Sequence, residues 1–192
     1  MPAPTPLIDL LFVIAPQALL LDIAGPAEAF RLANLHRELR GLPPRFRLRF
    51  AGPVASATTS VGLGLADLEP LPERLLVPTW VVLVGQPSSE LGRVTPAIAA
   101  TAKWLEGILG GALTAAETPH RLITICSGAL LAARAGLLGG RRCTTHHELL
   151  PALRALAPRA QVVDNRVFLV DGPLASSAGI TCLLYTSPSP RD

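Results

Sequence analysis

Apolar residues along this chain fall into short, nearly continuous runs that are separated by stretches with helical spacing. Continuous runs lie at 7–15, 80–84 and 122–126. In a further run at 46–51 the apolar residues alternate with arginines, which predicts a half-buried strand whose arginines face solvent. Runs of this length that are rich in Val, Ile and Leu are typical of parallel strands buried on both faces of a sheet. We therefore predict four central strands.

Between and after these runs, apolar residues recur at the spacing of amphipathic helices, and further short strands follow. We predict helices over 26–39, 95–109, 129–135 and 148–156, a turn or short hairpin within 52–64, and strands at 161–163, 167–170 and 174–176. Alternating strands and helices predict one α/β domain with a doubly wound, mostly parallel sheet sandwiched by helices.

Charge excludes some partners. The formal net charge is +3, and Lys103 is the only lysine, while the arginines are scattered rather than gathered on one run. This distribution does not form the basic patch that is typical of a nucleic-acid-binding surface. The apolar N-terminus lacks a basic leader region and carries Asp9 and Asp22, so we expect a first strand rather than a signal peptide and a cytoplasmic protein without membrane contact.

The last stretch, residues 182–192, reads CLLYTSPSPRD and shares no periodicity with the chain before it. It can be encoded by the transposase adapter of tagmentation sequencing libraries. We interpret it as a non-native tail that follows an incomplete domain of residues 1–181; a natural Ser/Pro tail is the alternative. With Cys182 set aside, Cys126 and Cys143 remain, and reduced thiols are expected without an export signal.

Cys126 lies where an apolar strand turns at once into a helix, in the stretch LITICSGALLAARAG. The order strand, Cys126, Ser127, Gly128, helix is that of a nucleophile elbow, in which a glycine lets the helix pack close to the strand. A thiol at a helix N-terminus lies near the positive end of the dipole, which favours the thiolate. Cysteine also often fills a core, and the local pattern leaves both roles open.

In parallel sheets, sites form outside the carboxyl ends of the strands, and Asp22, Gly85 and Cys126 all follow such ends. Asp22, in a predicted loop, is placed to hydrogen-bond the thiol or to relay its proton. Capping of the helix over 26–39 is the alternative role for this side chain.

Two histidines, His146 and His147, precede the predicted helix over 148–156, for which Thr144 or Thr145 is the predicted N-cap. Adjacent histidines without a matching Cys, Asp or Glu spacing do not define a metal site. We therefore expect no metal and place a histidine near the thiol.

Four stretches, in the order LLLDIAGPAEAF, ITICSGALLAARAGLLGGRRCTTHHELLPAL, VVDNRVFLVDG and ASSAGIT, resemble the ThiJ/PfpI superfamily of class I glutamine amidotransferase-like domains. Within it, the similarity is greatest to the N-terminal domain of AraC-type transcription regulators and to isocyanide hydratases. The resemblance runs from about Leu7 to Thr181. It implies a flavodoxin-like fold, commonly a dimer, with the nucleophile position on Cys126, its acidic partner on Asp22 and the nearby histidine on His146.

One loop departs from the enzymes of this superfamily. Their turn after the third central strand usually reads Pro-Gly-Gly and helps to form an oxyanion site, whereas this chain reads VGQPSS. Gly85 is kept, Gln86 replaces the second glycine, and Pro87 has no N–H to donate. The loop is therefore predicted to bind an oxyanion poorly. His147 stands where the family often has an aromatic residue, which predicts a more polar pocket wall.

The first hypothesis is an effector-sensing domain of an AraC-type regulator whose helix-turn-helix half is missing from this sequence, so that DNA is bound only through that half. By family analogy, the effector is a small nitrogenous or amino-acid-derived metabolite. No cofactor is expected, and the resemblance implies a homodimer. The predicted site residues are Cys126, Asp22 and His146 at the catalytic-type positions and Gly85, Ser127 and Gly128 in ligand binding.

Two other hypotheses stay open. In the second, the protein is a cysteine-dependent hydratase or hydrolase resembling isocyanide hydratases, with Cys126 attacking an electrophilic carbon and Asp22 managing the proton. In the third, Cys126 is a redox sensor whose thiol oxidises to a sulfenic acid; the sequence does not place Cys143 within disulfide reach. The resemblance also puts a final helix after ASSAGIT, and its loss predicts poor solubility of residues 1–181 expressed alone.

Overall fold

The computed structural model describes residues 7–91, 93–115 and 117–179. The tail over 182–192 and Thr181 before it lie outside the described residues. The helices are α1 (Leu20–Glu38), α2 (Ser88–Leu91), α3 (Pro96–Leu109), α4 (Gly128–Arg134) and α5 (Leu150–Leu156), with 3₁₀ turns at Ala112–Thr114 and His147–Leu149. The strands are β1 (Ile8–Val13), β2 (Phe46–Gly52), β3 (Ala57–Thr58), β4 (Gly64–Leu65), β5 (Glu69–Pro70), β6 (Thr79–Leu83), β7 (Arg121–Ile125), β8 (Arg142–Cys143), β9 (Gln161–Val162), β10 (Phe168–Asp171) and β11 (Leu174–Ser177).

A seven-stranded sheet forms the centre of the described chain, in the order β10, β11, β7, β6, β1, β2, β5. Its neighbouring strands are parallel except for the antiparallel pair β10 and β11. β1 is buried along its whole length because parallel partners flank it on both sides and helices cover both faces of the sheet. The predicted α/β class with a mostly parallel sheet is therefore confirmed.

Side chains of the central strands alternate between two cores, one on each face of the sheet. One core packs against α3, α4 and α5 and includes Leu11 of β1 and Leu105 of α3. The other core packs against α1 and includes Leu10 and Phe12 of β1, with Phe30 of α1 at its side. This alternation is what a period of two residues along each strand requires.

The predicted elements match this architecture closely. Each of the four apolar runs forms a central strand, and the segment over 52–64 contains the antiparallel turn from β3 to β4. Helix α3 begins at Pro96, and the hydroxyl of Thr95 accepts a hydrogen bond from the N–H of Ile98 at 3.3 Å. Within the described ranges, no helix has the length and apolar character that a membrane span requires.

The predicted start of the first helix was wrong. Helix α1 begins at Leu20, so Asp22 lies in its first turn rather than in a loop, and Pro26 lies inside the helix. Proline favours the first helical position, but here the N–H of Leu19 donates to the carbonyl of Gly85 at 2.9 Å. This tertiary contact holds the chain at an earlier helix start.

The predicted threonine cap was also wrong. Leu149 is the N-cap of α5 and His146 is the N-cap of the 3₁₀ turn before it, and neither caps with its side chain. The hydroxyl of Thr145 donates instead to the carbonyl of Cys126 at 2.7 Å. The N–H of Thr144 donates to the hydroxyl oxygen of Ser176 at 2.9 Å. Both threonines therefore join neighbouring segments to the sheet.

Candidate functional site

Cys126 stands between the end of β7 and the start of α4. Its φ is +52°, a left-handed conformation that is strained for a residue with a side chain and costs about 1–3 kcal/mol. The N–H of Cys126 donates to the carbonyl of Ser177 at 3.0 Å, and its carbonyl accepts from the hydroxyl of Thr145 at 2.7 Å. These contacts hold the sharp turn of a nucleophile elbow.

Gly128 allows the helix after the elbow to lie against the sheet. A Cβ at this position would lie 2.3 Å from the carbonyl oxygen of Leu83 in β6. Any other residue would therefore push α4 away from the sheet and displace the turn that carries Cys126.

Asp22 and Cys126 adjoin across Gly85. The carboxyl of Asp22 is buried, and its Oδ2 accepts a hydrogen bond from the N–H of Gly85 at 3.1 Å. A Cβ on Gly85 would lie 2.6 Å from that oxygen and 3.1 Å from the Cβ of Cys126. Glycine is therefore required where the carboxyl, the loop after β6 and the elbow meet.

Ser127 joins the elbow to the same loop. Its buried hydroxyl accepts a hydrogen bond from the N–H of Gln86 at 2.6 Å and donates one to the carbonyl of Gln86 at 2.8 Å. The side-chain amide of Gln86 donates in turn to the carbonyl of Pro16 at 2.6 Å. Gln86 thereby connects the loops that follow β1 and β6 with the elbow.

The loop after β6 uses its backbone donors within the protein. The N–H of Gly85 is bonded to Asp22, the N–H of Gln86 is bonded to Ser127, and Pro87 has no N–H. An oxyanion site needs preorganised N–H groups that point at the reacting atom. In this loop those groups already have protein acceptors.

The described contacts of His146 are with the two residues that follow it in the chain. Its Nδ1 lies 3.8 Å from Oε2 of Glu148, and its ring centre lies 4.4 Å from that of His147. The structure brings together the predicted site residues Asp22, Gly85, Cys126, Ser127 and Gly128.

The second cysteine is chemically distinct from the first. Cys143 is fully buried, and burial, with a further contribution from the Asp171 carboxylate, raises the pKa of its thiol to about 11. The thiol is therefore protonated at neutral pH and unreactive. Cys143 is not joined to Cys126 by a disulfide. Among the described residues, no group of three or more His, Cys, Asp or Glu side chains is arranged to hold a metal ion.

An apolar groove of about 530 Å³ opens beside the elbow, between α1 and the sheet. Gly179 forms part of its wall, and a Cβ there would lie 3.4 Å from the sulfur of Cys126. The groove therefore reaches the immediate surroundings of the thiol. Its lining residues are Gly25, Pro26, Ala29, Phe30, Ile123, Ile125, Val167, Phe168, Ser177 and Gly179.

Three residues that contribute to this site were not predicted from the sequence. Gln86 was identified only as the replacement for a glycine, although its backbone and side chain both bind neighbouring loops. Thr145 and Gly179 reach Cys126 from distant segments. No local pattern marks such contacts, because they exist only once the strands are assembled; the motif ASSAGIT was the one available signal for Gly179.

The DJ-1/PfpI family model matches residues 108–186. The HTH-type transcriptional regulator CdhR of Pseudomonas aeruginosa is 34% identical over 176 residues, which cover 90% of this chain and 46% of the regulator. A protein of Streptomyces lividans described as uncharacterized, in the cpoL 5′ region, is 31% identical over 72% of this chain and 87% of its own length. The isonitrile hydratase of Pseudomonas putida is 43% identical over 61 residues, 30% of this chain and 24% of the hydratase.

Among solved structures, an AraC family transcriptional regulator from Pseudomonas putida superimposes with a TM-score of 0.69 at 17% identity, covering 91% of this chain and 84% of that chain. At this identity the likeness concerns the fold. The present chain spans less than half of the length of CdhR.

Proposed function

Because this chain belongs to the DJ-1/PfpI family, we propose that it is the effector-sensing domain of an AraC-type transcriptional regulator. In this proposal the regulator is a cytoplasmic homodimer, and a helix-turn-helix half outside this chain binds DNA. The similarity to CdhR supports it, because 46% of that HTH-type regulator is matched and the remainder is long enough for a separate DNA-binding half.

The N–H groups of the loop after β6 are hydrogen-bonded within the protein, which favours sensing over catalysis. The elbow sets a thiol beside a carboxyl, as a nucleophile requires, but the N–H groups of Gly85 and Gln86 are bonded to Asp22 and Ser127. A bound molecule would therefore find neither of these two N–H groups available to stabilise a negative charge that develops during a reaction.

The chemistry of the site supports a nitrogenous effector. Asp22 supplies a buried carboxyl whose oxygens accept hydrogen bonds, and N–H groups of a small metabolite are suitable donors to it. The neighbouring groove, lined by Phe30 and Ile125 among others, accommodates an apolar part of the same molecule.

The natural full-length protein tests this proposal by calorimetric titration with amino acids, their N-methyl derivatives and simple amides. We expect saturable binding of one class, recovery of the compound unchanged, and at least tenfold weaker binding by Asp22→Asn. Conversion of any of these compounds faster than by Cys126→Ser would contradict a sensing role. Equal binding by the Asp22→Asn variant would place the effector elsewhere.

A cysteine-dependent hydratase is the second candidate, and the elbow itself favours it. Cys126 holds a strained backbone beside Asp22, and the isonitrile hydratase of Pseudomonas putida is similar over part of this chain. Incubation with a simple isonitrile distinguishes the two candidates. Formation of the N-substituted formamide, abolished by Cys126→Ser, would support the enzyme, whereas the sensor proposal predicts none above the uncatalysed rate.

A further inference from the structure

The hydroxyl of Ser127 forms hydrogen bonds with both backbone polar groups of Gln86. It accepts from the N–H of Gln86 at 2.6 Å and donates to the carbonyl of the same residue at 2.8 Å. Ser127 is only 3% exposed, so water does not readily compete for these bonds. The Ser127–Gln86 pair forms a closed clasp between the elbow and the loop after β6.

The clasp lies beside the elbow that carries the thiol. Ser127 is the next residue after Cys126, and a Cβ on Gly85, the residue before Gln86, would lie 3.1 Å from the Cβ of Cys126. The side-chain bond from Gln86 to the carbonyl of Pro16 fixes the loop from its other side. The N–H of Gln86 is therefore close to the elbow while its hydrogen bond is directed to Ser127.

We propose that Ser127 is a positioning residue that withholds the N–H of Gln86 from the Cys126 thiol and thereby keeps the thiol weakly reactive. A backbone N–H that donates to sulfur stabilises a thiolate more than a thiol, because the anion is the stronger acceptor. Removing the Ser127 hydroxyl leaves the Gln86 N–H without its present acceptor, next to the elbow. This inference rests on the proposed sensing role, since it explains how a nucleophile elbow stays unreactive.

Alkylation by iodoacetamide tests the inference in the chain of 192 residues carrying Cys182→Ser. The Cys126 thiolate attacks the methylene carbon, a C–S bond forms, and the C–I bond breaks with loss of iodide. For Ser127→Ala we expect alkylation of Cys126 at pH 7 to be about tenfold faster and its pH midpoint to fall by about one unit. Ser127→Thr, which keeps a hydroxyl, should restore the slower rate and the original midpoint.

Cys143 provides the control for general loosening of the fold, because it is fully buried. Faster alkylation of Cys143 in parallel with Cys126, or an unchanged or raised pH midpoint for Cys126, would overturn the inference. If Ser127→Ala does not fold, hydrogen exchange of the Gln86 amide in the parent chain tests the clasp on which the inference depends. Protection of that amide, comparable to that of the β6 amides, is expected, and rapid exchange would overturn the clasp.

The two proposals fail separately. A full-length protein that binds an effector without turnover keeps its sensing role even if Ser127→Ala leaves the thiol unchanged. A protein that converts isonitriles would lose the sensing role, whatever the Gln86 amide shows.

Discussion

The left-handed backbone of Cys126, at φ +52°, shows what the elbow demands of a single residue. A Cβ in this region clashes with the backbone, and glycine avoids the clash. We expect Cys126→Gly to exceed Cys126→Ala in free energy of unfolding by about 0.5–1 kcal/mol, measured by urea denaturation.

A matched control is available in the adjoining helix α4. Ala129 is helical and buried, so Ala129→Gly should lower the free energy of unfolding in the ordinary way, by about 1 kcal/mol. If Cys126→Ala proves as stable as Cys126→Gly, the turn is not strained as described.

Thr124 carries a buried hydroxyl oxygen without a hydrogen-bond partner. Burying a polar group without a bond costs free energy, and valine has the same shape without that group. We therefore expect Thr124→Val to raise the free energy of unfolding by about 1 kcal/mol. In the control Thr101→Val, a bond from the hydroxyl to the carbonyl of Ala97 at 2.8 Å is lost, so that variant should be less stable than the parent. Destabilisation of both variants to the same extent would contradict the assignment.

Between secondary-structure elements, a cluster of ion pairs connects β1 to β2. Arg47 donates two hydrogen bonds to the buried carboxylate of Asp9, each at 2.8 Å, and Arg49 donates a third at 3.1 Å while also pairing with Glu69. The alternation of arginines along β2 was predicted as a solvent-facing pattern, and Arg47 is indeed half exposed. The buried partner Asp9 was not foreseen, because it lies in a different apolar run.

This cluster predicts how stability depends on pH. Burial alone would raise the pKa of Asp9, but the hydrogen bonds and charges of Arg47 and Arg49 outweigh it and hold that pKa below 3.8. A lowered folded-state pKa gives stability that is complete above 3.8 and is lost as the pH falls through the folded value. We expect Asp9→Asn to flatten the acid limb of the unfolding free energy measured between about pH 5 and 2.

The exposed pair of Glu28 and Arg31 serves as the control for that measurement. Glu28→Gln removes a solvent-screened ion pair, which contributes little to stability, so the acid limb of its unfolding free energy should resemble that of the parent. Equal slopes for Asp9→Asn and the parent would contradict the role of the buried carboxylate.

Most of the elements were predictable because burial on both faces of a parallel sheet leaves a continuous apolar run. Cys126, Ser127 and Gly128 were predictable because the elbow is a local strand-to-helix pattern. The start of α1 at Leu20 and the bond from Thr145 to Cys126 were not, since contacts between distant segments determine both.

At the scale of the whole molecule, the described chain leaves apolar surface beside β7 and on the edge strand β10. Phe168 and Val170 are 69% and 58% exposed, and Phe168 also lines the groove next to the elbow. Apolar side chains on an edge strand promote association between chains. We expect residues 1–181 expressed alone to be poorly soluble, and Phe168→Asn with Val170→Thr to raise the soluble fraction several-fold, measured after centrifugation. A parent fragment that stays soluble and melts cooperatively would contradict this expectation.

Sequencing the natural gene beyond the codon for Thr181 tests the sensing role most directly. The proposed regulator predicts an open reading frame that continues for about a hundred residues and contains two helix-turn-helix patterns. A frame that ends after a single further helix would contradict it and favour the enzyme.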